Sequence, residues 1–420
     1  MRNIFLKYLL TLLVGSVIFC GCAGCGSVGG GSENSDGNSE TYDSIENLAD
    51  FIVEVDEKKD PIVLQITDTQ IIDAAQIRPG RSGVDKDFWA TDKVNERCYD
   101  YLTELIRSVN PDLILLTGDI VYGEFDDSGS ALFSFIEFME SFGVPWAPVF
   151  GNHDNESKKG ADWQCEQLEK AEHCLFKQRR LTGNGNYSVG IKQGNELKRV
   201  FYMLDSNGCA AASEESLANG HTKSLIGFGL DQVKWFTEEI NKAKSAVPDL
   251  KISFAFHIQL SVFGEALKKY GFNADAINQG ENAEGIFIDY EANRTEGDFG
   301  FIGRKLKDPW ATINHNVDVW KIIKGLGADS VFVGHEHCNS ASVLYEGVRL
   351  QYGQKSSEYD RFNSLNENGT ITGGYSKSGI SLIGGTVMTL SKTDGAIADS
   401  RIQYCKNAGA DVDWDGIFCN

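Results

Sequence analysis

Residues 146–154 read WAPVFGNHD, a short apolar run that breaks off into a glycine and three polar residues. The same form stands earlier at 62–70, IVLQITDTQ, and at 113–122, LILLTGDIVY. Further candidate strands are Val200–Leu204, Ile252–Phe256 and Val331–Val333. His257 follows the Ile252–Phe256 run directly, and Gly334-His335-Glu336-His337 follows the last. Between these runs the apolar spacing becomes helical. In Thr91–Val109 the residues Val94, Cys98, Tyr101, Leu102 and Leu105 share a face, and Pro111 stops the run. Ala131–Phe142 aligns Leu132, Phe133, Ile136, Met139 and Phe142, and Leu230–Ala246 and Val317–Leu326 read the same way. Strands alternating with helices predict an α/β domain with parallel or mixed sheets. The stretch 341–404 predicts hairpins instead. Ser342–Tyr345 turns at Glu346-Gly347 into Val348–Tyr352, and Thr386–Leu390 turns at Thr393-Asp394-Gly395 into Ala398–Gln403.

The chain of 420 residues carries 39 Lys+Arg against 60 Asp+Glu, a net charge of −21, which argues against a nucleic-acid polymer as partner. A small anionic substrate remains compatible, because a metal can supply local positive charge. At 41% apolar and 11% aromatic residues, the chain has enough apolar material for a core and is not globally disordered. Arg2 and Lys7 precede an apolar run, Tyr8 to Phe19, which is too short to span a bilayer and suits a signal peptide. Cys20-Gly21-Cys22-Ala23-Gly24-Cys25 follows and resembles a bacterial lipobox, with Cys22 or Cys25 as the acylated residue. Residues 26–44 are rich in Gly, Ser and Asn and predict a flexible tether. The expected organisation is therefore a lipoprotein-type signal at 1–25, a tether at 26–44, one α/β domain at 45–405 and an acidic tail at 406–420. The expected location after export is the bacterial cell envelope, at the membrane or the cell surface, held by a lipid anchor. An ordinary cleaved signal is the alternative.

Beyond the signal lie Cys98, Cys165, Cys174, Cys209, Cys338, Cys405 and Cys419. An exported protein can keep disulfides, and Cys165–Cys174 and Cys405–Cys419 are the local candidates. No Cys-x-x-Cys pair suggests a thiolate metal site. In the tail, Asp411-Val412-Asp413-Trp414-Asp415-Gly416 resembles the first half of an EF-hand loop. Calcium there is one expectation, and a plain acidic tail is the other.

The polar residues after the strands carry the chemistry. Asp68, Gln70, Asp119, Asn152, His153, Asp154, His257, His335 and His337 all follow predicted strands, where ligand groups converge in α/β sheets. Carboxylates, an amide and several imidazoles make a mixed O/N donor set suited to Mn, Fe or Zn and too rich in imidazole for a calcium cage. Such a set can hold two cations about 3.5–4 Å apart around a bridging carboxylate, with a further imidazole left to assist a leaving group.

Gly118-Asp119, Gly151-Asn152-His153-Asp154, the lone His257 and Gly334-His335-Glu336-His337, in that order, resemble the signature of the calcineurin-like metallophosphoesterase superfamily. Trp146–Ser157, Leu204-Asp205-Ser206, Phe256-His257-Ile258 and Leu350-Gln351-Tyr352-Gly353 are similar to its purple-acid-phosphatase-like subgroup. The resemblance implies two mixed β-sheets packed as a sandwich flanked by helices. It also implies two divalent or mixed-valence transition metal ions. Asp119 would bridge them, Asp68, Gln70 and His337 would complete the first site, and Asn152, His257 and His335 the second. His153 would contact the phosphate, with Asp154 orienting it. The implied activity is hydrolysis of a small phosphomonoester by a metal-bridging hydroxide. Phosphodiester or pyrophosphate hydrolysis on nucleotides or lipid head groups is the alternative, and a non-catalytic surface binding module is the second.

The chain departs from the pattern in three places. Gln70 stands where the family usually has His; its carbonyl oxygen can ligate more weakly, or sit beside the site through a water. Tyr122 is spaced like the iron-binding tyrosine of purple acid phosphatases, but Gln70 would fill the space beside it, so a packed or substrate-facing tyrosine is expected. Gln259 replaces the usual Pro after His257. Elsewhere, Glu336 is expected to point away from the metals, and His173, His221 and His315 to be surface or capping residues. Arg78 and Arg81 belong to a solvated loop or to a phosphate grip, and Phe88, Trp89 and Trp163 to core or lid packing.

Overall fold

Ile62–Ile66 and Leu113–Leu116 are too apolar for strands with one wet face, and they lie side by side at the centre of a sheet with both faces covered. The computed structural model describes residues 45–76, 93–207, 227–272, 285–303, 318–366, 368–374 and 380–406. Along these segments run β1 (Phe51–Glu54), β2 (Ile62–Ile66), α1 (Lys93–Val109), β3 (Leu113–Leu116), α2 (Ser130–Glu140), β4 (Trp146–Pro148), α3 (Ala161–Leu168), β5 (Tyr187–Gln193) and β6 (Glu196–Met203). There follow α4 (Leu230–Ala246), β7 (Lys251–Ala255), α5 (Val262–Leu267), β8 (Ile286–Ile288), β9 (Gly300–Ile302), α6 (Val319–Gly325), β10 (Ser330–Val333), β11 (Ser342–Tyr345) and β12 (Val348–Tyr352). The last strands are β13 (Phe362–Leu365), β14 (Ile371–Gly374), β15 (Ile380–Ser381), β16 (Gly384–Leu390) and β17 (Ile397–Tyr404).

Two mixed sheets form the body. One orders its strands β1-β5-β6-β7-β10-β12-β11, the other β17-β16-β2-β3-β4. The alternation along β6 shows how they pack. Phe201 and Met203 join a core with Val63, Leu115 and Met388 of the other sheet, while Val200 and Tyr202 join a second core with Trp235, Phe236 and Ile240 of α4. The sheets therefore face each other through the first core and carry helices on their outer faces, as the resemblance implied. α1 buries Val94, Cys98, Tyr101, Leu102 and Leu105, its expected face, against β2 and β16. α2 is started by the Asp126 carboxylate, which accepts from the backbone N–H groups of Ala131 and Leu132. Among the described residues no helix is long and apolar enough to cross a membrane.

The predicted helices and strands all occur, some with the expected bounds and the rest with ends shifted by up to four residues. Where the sequence predicts a strand at Ala147–Phe150, the strand is Trp146–Pro148, one residue earlier in start and two in end. Both hairpins form; the Glu346-Gly347 turn has positive φ at both residues (48° and 84°), the geometry of the tightest hairpin turns. Not foreseen are β1, β5, the small β8–β9 pair and the three-stranded β14-β13-β15 sheet.

The cysteine expectations are corrected. Cys165 and Cys174 are both buried free thiols, not a disulfide. Cys165 packs within α3, while Cys174 pairs its backbone with Trp146 at the edge of β4. Cys405 is buried, with its Sγ 3.4 Å from the Tyr101 carbonyl, and its expected partner Cys419 lies outside the described residues. The signal and tether (1–44), Arg78, Arg81, Phe88, Trp89, Cys209, His221, His315, Cys419 and the Asp411–Gly416 motif lie outside the described residues.

Candidate active site

The loops leaving β2, β3, β4, β7 and β10 are laced together by their backbones. Asp68 N–H donates to the Gly118 carbonyl, Gln70 N–H to the Asp119 carbonyl, Gly123 N–H to the His153 carbonyl and Gly334 N–H to the His257 carbonyl. Two of the motif glycines are there for want of space. A Cβ on Gly151 would collide with the Asp119 carboxylate and backbone, and one on Gly334 with the Thr67 hydroxyl. Asp68, Gln70, Asp119 and His335 themselves take left-handed backbone conformations, with φ of 54°, 48°, 53° and 71°.

This lacing brings the expected donors together. Asp68, Asp119 and His337 offer oxygen and nitrogen atoms that lie within 4.8 Å of one another. His337 Nε2 is 3.3 Å from Asp68 Oδ1, and His257 Nε2 is 3.4 Å from Asp119 Oδ2. The Asn152 Oδ1 sits between two imidazoles, 3.1 Å from His257 Nε2 and 2.9 Å from His335 Nδ1. His257 donates its Nδ1–H to the Thr117 carbonyl at 2.7 Å. In the neutral ring this leaves Nε2 as a lone pair facing two oxygens, a contact that only a proton or a cation makes favourable. Asp68 Oδ1 and His335 Nε2 are buried and make no hydrogen bond, although Asp68 Oδ1 has His337 near it. Buried polar atoms of this kind call for a further partner, and a mixed O/N set of these donors fits a transition metal.

The electrostatics point the same way. Burial opposes ionisation of Asp68 and Asp119, yet the imidazoles around them hold both carboxyls below the usual range. Burial also works against a charged His257, but the Asp119 and Asp68 carboxylates push it up to about 9. His335 goes the other way, down to about 3, through burial and the neighbouring His257.

His153 lies beside this cluster. Its backbone N–H donates to Asp119 Oδ1 at 2.8 Å, and its ring stacks on Tyr122 with centroids 4.0 Å apart. Tyr122 is thus a packed tyrosine, joined to Phe125 and Tyr359. Asp154, expected to orient the His153 ring, meets backbone groups instead. Its carboxylate accepts from the Gly151 and Val121 backbone N–H groups at 2.7 and 3.0 Å, tying the β3 and β4 loops together. Burial and Asp119 raise its pKa to about 7. The carboxylate that orients the imidazole is Glu156, whose Oε2 is 2.7 Å from His153 Nδ1. Burial opposes protonation of His153, but Glu156 and Asp119 carry it up to about 10.

The Gln70 amide does not offer its oxygen as the resemblance implied. Oε1 accepts from Lys355 Nζ at 2.8 Å, and Nε2 lies 3.4 Å from Asp119 Oδ2. Lys355 is 1% exposed, in the run Gln354–Glu358 after β12, all of it buried. Burial lowers its pKa, against the pull of Asp68, Asp360 and Asp119. Asp360 also stands 3.3 Å from His337 Nδ1, the second carboxylate on that ring. Lys355, Glu156 and Asp360 were not singled out from the sequence. Glu156 had a weak signal, three residues after His153; the other two had none. Glu336 is directed at Gln259, whose Nε2 is 3.4 Å from its Oε1. Trp163 packs edge-on against Phe133 at 5.3 Å, and the His173 backbone N–H donates to Glu140.

Fold and site together define a mixed α/β protein with a cluster of metal-ligating residue types at its strand ends. The family model described as Calcineurin-like phosphoesterase matches residues 62–339, more than half of the chain, and the chain belongs to that family of dinuclear-metal phosphoesterases. The chain is similar to Phosphatase DCR2 of Saccharomyces cerevisiae, 22% identical over 259 residues, which are 59% of this chain and 39% of that one. It is also similar to "Probable inactive purple acid phosphatase 29" of Arabidopsis thaliana, 23% identical over 274 residues, 60% of this chain and 61% of that one. The chain thus spans less than two thirds of the length of these relatives. A solved purple acid phosphatase from yellow lupin seeds superposes with a TM-score of 0.42 and 11% identity, over 83% of this chain and 55% of that one.

Proposed function

We propose that the protein is a metal-dependent phosphomonoesterase. The observation that carries this reading is the meeting of Asp68, Asp119, Asn152, His257, His335 and His337 at one cluster of strand-end loops. Asp68, Asp119 and His337 would hold one cation, and Asp119, Asn152, His257 and His335 a second, from the set Mn, Fe or Zn. When bound, such cations supply positive charge for the developing oxyanions and lower the pKa of water to where it serves as a nucleophile. The chain's own residues do the rest. The Thr117 carbonyl fixes the His257 tautomer, with Nε2 turned to the site. Glu156 holds His153 by Nδ1, and Tyr122 fixes the plane of its ring. With its pKa at about 10, His153 carries a proton on Nε2 at neutral pH and would deliver it to the leaving oxygen.

A second reading has one observation in its favour: three relatives bear names beginning "Probable inactive purple acid phosphatase". On that reading the fold is kept as a surface binding module. Purified protein supplied with Mn, Fe or Zn decides between them. It should cleave an aryl phosphate faster than a bis-aryl phosphate diester, and His335→Ala should abolish the activity. Absence of turnover with every metal would sink the hydrolase reading, and a faster diester would move the substrate class.

A further inference from the structure

Lys355 reaches the site from the loop after β12 and ends among acceptors only. Its Nζ is 2.6 Å from the Asp68 carbonyl oxygen, 2.8 Å from Gln70 Oε1 and 3.4 Å from Ser357 Oγ. Three N–H bonds meet three oxygens, so the ammonium is satisfied without a carboxylate partner. This fixes the Gln70 amide at both ends. The ammonium demands the oxygen on its side, and the Asp119 carboxylate demands the NH2 on the other. A flipped amide would set NH2 against ammonium and oxygen against carboxylate, so the assignment follows from the neighbours.

We infer that Lys355 is a positioning residue that withdraws Gln70 from metal ligation and so makes the two cation positions unequal. This rests on the metal reading given above. The position at Asp119, Asn152, His257 and His335 keeps four side chains. The position at Asp68, Asp119 and His337 keeps three, with a buried ammonium beside the amide that the family's pattern would add as the fourth. The inequality is written into this chain by two residues, Gln70 and Lys355.

Metal affinity, read independently of turnover, tests this. The full chain is stripped with a chelator and titrated with Mn(II) in equilibrium dialysis, with metal counted by elemental analysis. The wild-type protein should show two classes of site whose affinities differ by about 10–100-fold, the usual effect of an altered ligand environment. Gln70→Ala should leave the weaker class within about two-fold of wild type, because the amide oxygen is not a ligand. Lys355→Met, folded by circular dichroism, should tighten the weaker class by about ten-fold or more as the Gln70 oxygen is released. Two equal sites in the wild type, or a weaker class lost in Gln70→Ala, would overturn the inference and leave the metal reading standing. Gln70→Ala keeps the test available if Lys355→Met does not fold. No Mn(II) bound by the wild type would overturn both.

Discussion

Removing the cations should make the protein lose stability as pH rises from about 6.5 to 9, and His257 sets the size of the effect. Its pKa moves from 6.5 to about 9 in the folded chain, burial notwithstanding, because Asp119 and Asp68 face it. A raised histidine contributes stability that is complete below the unfolded pKa and is lost as pH climbs through the folded one. At 1.36 kcal/mol per pKa unit, the span corresponds to roughly 3 kcal/mol. His335, driven down to about 3, is neutral in both states above 6.5 and adds nothing in this window. His153 adds to the same limb, whereas Lys355, lowered by burial, runs with the opposite sign. The informative quantity is therefore a difference. Chelated wild type and chelated His257→Asn are unfolded in denaturant at pH 6.5, 7.5 and 9. The wild type should lose roughly 3 kcal/mol more than the variant over that range. Saturating Mn(II) should flatten the wild-type curve, because ligation requires the neutral ring and takes the place of the proton. Parallel curves for the two chelated proteins would refute the idea that the His257 Nε2 faces uncompensated carboxylate charge.

Glu156→Gln should lower kcat on an aryl phosphate by about 10–100-fold with little change in KM, and should move the alkaline limb of the pH–rate profile to lower pH. A purely structural role for Glu156 would reduce the amount of active protein and leave the shape of the profile alone. The N-terminal segment bears on location: cells fed a radioactive fatty acid should label the protein, and replacing both Cys22 and Cys25 with Ser should remove the label. Label retained in the double variant would argue against the lipobox reading.

Much of the fold was legible because its elements are long and periodic. Leu230–Ala246 came out with the bounds its spacing predicts, and LILL at 113–116 could only be a buried strand. The strand β5 was not legible. In YSVGIKQ every residue but Lys192 is buried, yet Ser188, Gly190 and Gln193 interrupt any apolar pattern. It exists because β1 and β6 flank it, a tertiary fact. The site divides the same way. The donors announced themselves as polar residues after strands, whereas the residues that aim them did not. QKSSE at 354–358 reads as a solvated loop, since a lysine among serines is ordinarily exposed. It is buried because the Asp68 carbonyl, nearly three hundred residues earlier, is its partner. Cys165 and Cys174 illustrate the converse error: closeness in sequence suggested a bond, and both are free buried thiols, one in α3 and the other beside the β4 edge.

The distribution of backbone strain ties these levels together. Among the described residues, nine other than glycine have positive φ, and five of them are Asp68, Gln70, Asp119, His335 and Asp360. Each such conformation costs on the order of 1–3 kcal/mol outside a supporting frame, so the cluster is not a random scatter of turns. The frame is visible in the bonds between loops. Thr67 receives the Ser356 N–H, Asp68 and Gln70 donate across to the β3 loop, and the Asp154 carboxylate binds the β3 and β4 loops to each other. None of these bonds uses a donor atom that would face a cation. The loops are therefore held largely by groups that do no chemistry, although Asp119 and Asp68 each also accept a backbone N–H, from His153 and His335, and the imidazole nitrogens still stand against ligand oxygens. Such an arrangement is strained without a cation and relieved by one. For that reason the stability of this fold and its capacity to bind metal should rise and fall together.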